Sequence, residues 1–199
     1  MTQNANIFAQ IGEDVKIWPL AKVVNTANIF LGNNIIVDDF CLLISGSRLK
    51  IGDFVHIAAY VLVTGGGDFE MGSFSGISAG TRIFTGNEDY SGNYLTNPTV
   101  PFPFRQPIRS FVRIEKHAIV GANSTVLPGV TIGEGAVVGA HSLVKRDCKP
   151  WTIYAGCPAK VIGKRRSDRI IKLEAELTKE AYDEKGLYIP SSERSKTIT

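Results

Sequence analysis

The sequence predicts an all-β fold: a parallel β-helix of hexapeptide repeats, interrupted by one long inserted loop and followed by a C-terminal α-helix. Three observations carry this expectation. An apolar-Gly doublet recurs at intervals of 20, at Ile11-Gly12, Leu31-Gly32, Ile51-Gly52 and Met71-Gly72, and Ile114 and Ile132-Gly133 continue the series at an interval of 18. Within each unit an apolar residue returns every six positions: Ile11, Ile17, Val23; Leu31, Val37, Leu43; Ile51, Ile57, Val63; Met71, Ile77, Ile83; Ile114, Val120, Val126; Ile132, Val138, Val144. All 18 are aliphatic or Met in a chain that is 44% hydrophobic, an agreement that chance reaches on the order of once in a million.

A six-residue pulse has a specific physical reading. A strand of two or three residues runs into a turn, three such sides close a triangular coil, and each pulse residue points to the axis, stacked on its counterparts above and below. Bends require small side chains. Four residues after the pulse stand Ala21, Ala27, Cys41, Val61, Thr81, Ala118, Ser124, Ala136 and Ser142. Parallel stacking lets each coil cover its neighbour's edge, so only the two ends stay open. A β-sandwich would show period-two alternation and Asn-Gly hairpins, and neither is prominent. Six to seven coils are expected from about residue 5 to residue 160.

After Val161 the rhythm stops, and "SDRIIKLEAELTKEAYDEKG" places Ile170, Leu173, Leu177 and Ala181 on one helical face. A helix is expected near 167–185, with Ser167 as N-cap and Gly186 as stop. It would cover the last coil or pack on another subunit. The final "LYIPSSERSKTIT" reads as weakly ordered. The chain thus divides into a β-helix over 1–162, carrying the loop 86–112, and a helix with its tail over 163–199.

The bulk properties narrow the function. A length of 199 residues suits one domain. With 21% charged residues and a net charge of +3 the composition is that of a soluble globular protein. No stretch interleaves dense Lys/Arg with aromatic residues, so nucleic acid is not an expected partner. The N-terminus has no basic and apolar leader pattern, no span is long enough to cross a membrane, and Cys41, Cys148 and Cys157 lack metal-ligand spacing. A cytoplasmic protein without a metal site is expected.

The stretch "IVGANSTVLPGVTIGEGAVVGAHSLVKRDCKPWTIYAGCPAKVIGKR" resembles the left-handed β-helix hexapeptide-repeat acyltransferases, and "AGCPAKVIGKR" looks like their C-terminal A-G-x-P-A-K signature. "YSGNYLTNPTVP", with "SRLKIGDFVHIAAYVLVTGGG" upstream, is similar to bacterial acetyltransferases of nucleotide-linked amino-sugars, of the dTDP-4-amino-4,6-dideoxyglucose N-acetyltransferase type. The resemblance spans nearly the whole chain. It implies left-handed coils, against the usual right-handed crossover, a homotrimer, acetyl-CoA as acyl donor, active sites between subunits, and a place in surface polysaccharide (lipopolysaccharide O-antigen) biosynthesis.

Within a regular solenoid an insertion as long as 86–112 is expected to be functional. Its Tyr90, Asn93, Tyr94, Asn97, Phe104 and Arg105 suit a nucleotide-sugar: rings for the base, amides for hydroxyls, a cation for the diphosphate. An insertion that only packs on a neighbour would carry the same residues. O-acetyltransferases resembling this chain place a His early in this loop. Reading Thr85 onto that motif puts Glu88 where the His would stand. A carboxylate is a poor base for a sugar hydroxyl but can orient an amine or accept its proton, which favours N- over O-acetylation. Asp89, His56 and His117 are the reserve catalytic candidates, although corner packing or a surface position serves either His as well. His141 is peripheral.

For the donor, Gly121, Ala122 and Asn123 stack one coil below Gly139, Ala140 and His141. Small side chains there admit a pantetheine arm, or simply serve the corners. Lys160, Lys164 and Arg165 form a basic cluster suited to the coenzyme phosphates, with Trp151 and Pro158 as candidates to flank the adenine. Three functions stand at this point: N-acetylation of a nucleotide-linked amino-sugar, O-acetylation of a sugar or antibiotic hydroxyl, and a non-acyltransferase β-helix of carbonic-anhydrase or scaffold type.

Overall fold

The pulse residues stack as required for a solenoid. In a computed structural model, which describes residues 7–194, successive short strands pair in parallel to form three long faces. The residues expected to start the first coil before Ile7, and the tail segment 195–199, lie outside the described residues. The first face stacks Val15–Ile17, Ile35–Val37, Val55–Ile57, Gly76–Ile77, Ile119–Val120, Val137–Val138 and Thr152–Ala155. Lys160–Lys164 turns back antiparallel on Thr152–Ala155 and closes that edge. The second face runs from Lys22–Val24 to Leu143–Val144, and the third from Ile29–Leu31 to Val130–Ile132. Register follows the pulse: Leu31 pairs with Ile51, Ile51 with Met71, Met71 with Ile114 across the whole excursion, and Ile114 with Ile132.

From Leu31 onward every pulse residue is buried, none more than 3% exposed. Each such side chain contributes about 1.5–3 kcal/mol on leaving water. The small bend residues Cys41, Val61, Thr81, Ala118, Ser124, Ala136 and Ser142 are buried beside them. The first coil departs from the pattern. Ile11 is 52% exposed, and Ile17 and Val23 are half-buried, because among the described residues no coil lies below to cover them. Ala27 is likewise exposed, in a short 3-10 turn, Thr26–Asn28.

One corner, between the third and first faces, is built from residues with left-handed backbone: Asp14, Asn34, Phe54, Phe74, His117, Gly135 and Trp151. For an aromatic residue this conformation costs about 1–2 kcal/mol. Stacking, worth about 0.5–1.5 kcal/mol per pair, offsets much of it. Phe54 and Phe74 stack at 4.9 Å, Phe74 and His117 at 5.3 Å, and Trp151 reaches His117 at 6.0 Å. Trp151 can do so because Gly135 intervenes without a side chain: a Cβ there would strike the indole ring.

The C-terminal helix, Asp168–Ala181, lies along this ladder. It differs from expectation in three respects. Ser167 makes no side-chain cap. Leu173 is 47% exposed, and Glu174 takes its place on the packed face, drawn in by Lys116 and His117. The helix ends at Ala181 rather than near Gly186, because Tyr182 turns out to donate its hydroxyl to Asp53 Oδ2 at 2.6 Å. The segment read as weakly ordered is also engaged up to Arg194. Tyr188 Oη donates to Asp14 Oδ2 at 2.8 Å, Ser191 N donates to the same oxygen at 2.7 Å, and the Arg194 guanidinium lies 4.8 Å from the Tyr188 ring. This C-terminal strap runs back from the last coils to the first.

Candidate active site

The excursion leaves the second face after Phe84 and returns to the third at Phe111. Its base is a small antiparallel pair, Gly86–Asn87 with Ile108–Arg109. Residues Gly65–Gly67, one coil below, receive that base. Gly67 N donates to Thr85 Oγ1 at 3.0 Å, the Arg109 guanidinium covers Gly66 and donates to the Gly65 carbonyl, and a Cβ on Gly67 would land on the Ser110 carbonyl. The "TGGG" run therefore marks the seat of the loop.

Within the loop the acidic pair divides its roles. Asp89 accepts from Ser91 N at 2.9 Å, Ser91 Oγ at 2.6 Å, Asn93 N at 2.8 Å and Tyr94 N at 3.0 Å. These bonds, led by the Ser91 hydroxyl, draw its carboxyl down to about 2. Asp89 thus holds the turn 89–94 together, and its lone pairs are spent. Glu88 makes one ion pair, accepting from Arg105 Nη1 at 3.1 Å. Arg105 is buried, 8% exposed, with the Phe102 ring 5.4 Å away. Arg105, expected as a cation for the diphosphate, is the counter-ion of Glu88 in this structure. Tyr90, Asn93, Tyr94 and Phe104 are exposed on the loop surface, and Asn97 closes a turn by accepting from Thr99 N at 3.0 Å.

The histidines separate. His56 projects outward from the first face, with Nε2 2.9 Å from Asp38 Oδ2. Beside it, a Cβ on Gly76 would make only ordinary contact with the His56 carbonyl, at 3.8 Å. Asp38 went unnoticed in the sequence, although the 20-residue period places residue 36 beside residue 56 and residue 38 one step along. His117 is buried, 5% exposed, inside the aromatic corner and bound to Glu174. Its geometry is that of a packing residue.

The small-residue edges Gly121-Ala122-Asn123 and Gly139-Ala140-His141 do stack, at the corner between the first and second faces, and Asn123 and His141 have left-handed backbone. This corner and the base of the excursion lie at opposite edges of the second face. The basic cluster also splits. Arg165 Nη1 donates to the carbonyls of His117 at 2.7 Å and Gly135 at 3.1 Å, in the aromatic corner, and Lys164 Nζ donates to Thr152 Oγ1 at 3.2 Å on the neighbouring strand. Lys160 faces the other way. With Lys145 and Arg146, which sequence reading passed over, it lines a recess of about 500 Å³ at the open end of the solenoid, together with Pro158. Trp151 sits in the aromatic corner, away from that recess. Among the described residues no group of three His, Cys, Asp or Glu converges as for a metal, and no helix is long and apolar enough to cross a membrane.

A solenoid of hexapeptide coils with a loop seated on glycines and a basic recess at its end defines a class of transferase, and residues 111–146 match the family described as bacterial transferase hexapeptide (six repeats). The chain belongs to the hexapeptide-repeat acyltransferases. It is 41% identical over 169 residues to a dTDP-4-amino-4,6-dideoxy-D-glucose acyltransferase of Escherichia coli, covering 84% of this chain and 88% of that protein. Among solved structures, AntD, an N-acyltransferase from Bacillus cereus in complex with dTDP and 3-hydroxybutyryl-CoA, superposes with a TM-score of 0.80 at 41% identity over 85% of this chain and 89% of its own. An AntD variant bound to dTDP-4-amino-4,6-dideoxyglucose and coenzyme A superposes with a TM-score of 0.81 at 39% identity, over 85% of this chain and 90% of its own.

Proposed function

We propose that this protein is a cytoplasmic, homotrimeric N-acetyltransferase that transfers an acetyl group from acetyl-CoA to the amine of a dTDP-linked 4-amino-4,6-dideoxyhexose, in the assembly of surface polysaccharide. The observation that carries the reading is the loop that presents Glu88 as its acid, in a chain 41% identical to a dTDP-amino-sugar acyltransferase. An amine needs only to shed its ammonium proton before attacking the thioester, and a carboxylate can orient it or take that proton. An alcohol would need a stronger base.

A trimer is supported by the surface. The corner between the first and second faces exposes Phe40 and Tyr60, stacked at 5.0 Å, and the second face turns Leu42, Leu62 and Phe84 outward, whereas the third carries Lys50, Glu70 and Arg113. Packing that apolar corner against a second copy would bring the loop of one subunit towards the small-residue edge of the next. His56, paired with Asp38, is the second candidate to receive the proton.

The test is thiol release from acetyl-CoA and from 3-hydroxybutyryl-CoA with a panel of dTDP-amino-sugars and dTDP-sugars that carry only hydroxyls. Turnover confined to the amines is expected, and Glu88→Gln should lower it by about ten-fold or more. Turnover confined to hydroxyl acceptors would overturn the reading. Wild-type turnover in Glu88→Gln would pass the role to His56 or to the substrate itself.

A further inference from the structure

The Glu88–Arg105 pair is unusual for an exposed loop. Arg105 is more than nine-tenths buried in a segment whose neighbours Phe102 and Phe104 are 69% and 61% exposed. Among the described residues, Glu88 Oε2 and Arg105 Nε are both covered, and neither has a hydrogen-bond partner. A guanidinium fork can engage both oxygens of a carboxylate, yet here one nitrogen meets one oxygen at 3.1 Å. Native structures leave few such groups unpaired, and those that persist call for an explanation. A half-used fork fixes the direction of the carboxylate without exhausting it.

We propose that Arg105 is a positioning residue for the acyl acceptor: it anchors Glu88 through Oε1 so that the second oxygen is held for an N–H of the incoming amine. The inference rests on the amino-sugar reading above. About a quarter of the Glu88 side chain reaches the surface although Oε2 is covered. A change of the staggered Glu88 side-chain rotamer, with Arg105 following through its own unpaired Nε, is what would carry Oε2 from its covered position to the open side. The base of the loop is clamped on Gly65–Gly67, so residues 88 and 105 are presented from one fixed seat although they are 17 positions apart. Asp89, tied down by its four bonds, keeps the chain after Glu88 from swinging away. Arg105 acts through Glu88 and does not contact the nucleotide diphosphate.

The experiment is a double-mutant cycle of Glu88→Gln and Arg105→Gln on the full chain, with Arg105→Lys as the conservative variant and two separate readouts. Binding of dTDP alone, by calorimetry, is expected to change by less than about two-fold on loss of Arg105, whereas turnover of the amino-sugar nucleotide at saturation falls by about ten-fold or more. In the Glu88→Gln background the same loss should cost less than about two-fold. Arg105→Lys should recover part of the turnover, because it keeps the charge but not the fork, and it serves in place of Arg105→Gln if that variant fails to fold. Weakened dTDP binding with turnover unchanged at saturation, or losses that multiply in the double variant, would overturn the proposal. If the wild-type protein acetylates no amine, the amino-sugar reading itself fails. The cycle read as affinity for the amino-sugar nucleotide relative to dTDP then decides whether Arg105 still positions Glu88.

Discussion

His117 Nε2 lies 2.7 Å from Glu174 Oε2, so a corner residue of the solenoid is fastened to the middle of the C-terminal helix. Lys116 pairs with the other oxygen of the same carboxylate. Together with the bonds of Tyr182 to Asp53 and Tyr188 to Asp14, this contact makes the C-terminal strap a staple on the coils rather than an appendage. Replacing His117 by Ala removes one rung of the ladder and leaves Glu174 with a single partner. A loss of about 2–3 kcal/mol is expected, which for a chain of this size lowers the midpoint of thermal unfolding by roughly 4–12 °C. Steady-state kinetics should show an unaltered KM for the coenzyme. A collapse of turnover at unchanged thermal stability would instead return His117 to the catalytic machinery.

The same carboxylate gives the protein an acid-sensitive joint. Burial alone would raise the Glu174 carboxyl, but hydrogen bonds from Lys116 and His117, with their charges, bring the balance below its ordinary value. A group held lower in the folded state stabilises it above the unfolded value, near 4.3, and that stabilisation fades as pH falls through the folded value. Glu174→Gln should therefore be the less stable protein at pH 7, and its deficit should close below about pH 4. Denaturant midpoints measured from pH 3 to pH 7 test this, and a deficit independent of pH would refute it.

Periodicity explains what could be foreseen. Leu31 to Val144 announce their own burial because each pulse residue repeats at a fixed interval and meets the same neighbours in every coil. Contacts outside the repeat leave no such trace. Glu88 and Arg105 are visible in the loop beside a second acid, Asp89, and a second cation, Arg109, but nothing in their 17-residue separation fixes which acid pairs with which cation inside an aperiodic loop. The contacts of His117 and Arg165 escape a reading of the sequence for one shared reason: their partners lie 57 and 48 or 30 residues away, across the join between helix and solenoid. An apolar count along the helix picks Leu173, and only the waiting cations of the coil reveal that Glu174 is the inward residue.

Gly135 is expected to be the least replaceable residue of the aromatic corner. Its φ of 63° lies in the left-handed region, and a Cβ there would enter the Trp151 ring. Backbone strain of about 1–2 kcal/mol adds to displacement of the indole. Gly135→Ala should destabilise by about 2–4 kcal/mol and shift the tryptophan fluorescence as Trp151 moves towards water. Unchanged emission and stability would mean that the corner yields without cost.

The split of the basic cluster separates two variants that the sequence would treat alike. Lys160→Ala removes a cation from the open recess shared with Lys145 and Arg146, and should raise the KM for acetyl-CoA with little change in stability. Arg165→Ala strands the His117 and Gly135 carbonyls, and should destabilise by about 1–3 kcal/mol with the coenzyme KM unaltered. The reverse pattern would place the coenzyme phosphates at the aromatic corner.

The seat of the excursion offers the sharpest separation of acceptor from donor. Gly67 has ordinary backbone, so Ala there carries no conformational penalty of the kind that burdens Gly135. What it meets is steric: the Ser110 and Thr85 carbonyls occupy the space a methyl would need, and those two residues are joined by the Ser110 N to Thr85 O bond of 2.8 Å that closes the loop. A methyl at Gly67 must lift that closure off the coil below. The pulse residue Val63 and the core residue Phe69, on either side of the glycine run, are buried independently of it, so the solenoid should survive with a loss of about 1–3 kcal/mol. Glu88 and Arg105, carried on the lifted base, lose their placement, and a misplacement of about 1 Å in such groups can cost about a hundred-fold in rate. Gly67→Ala is therefore expected to lower kcat/KM for the amino-sugar nucleotide by about ten-fold or more, while the KM for the coenzyme, proposed to lie along the opposite edge of the second face, stays within about two-fold. Equal losses for both substrates would show that the loop and the coenzyme edge form a single rigid site.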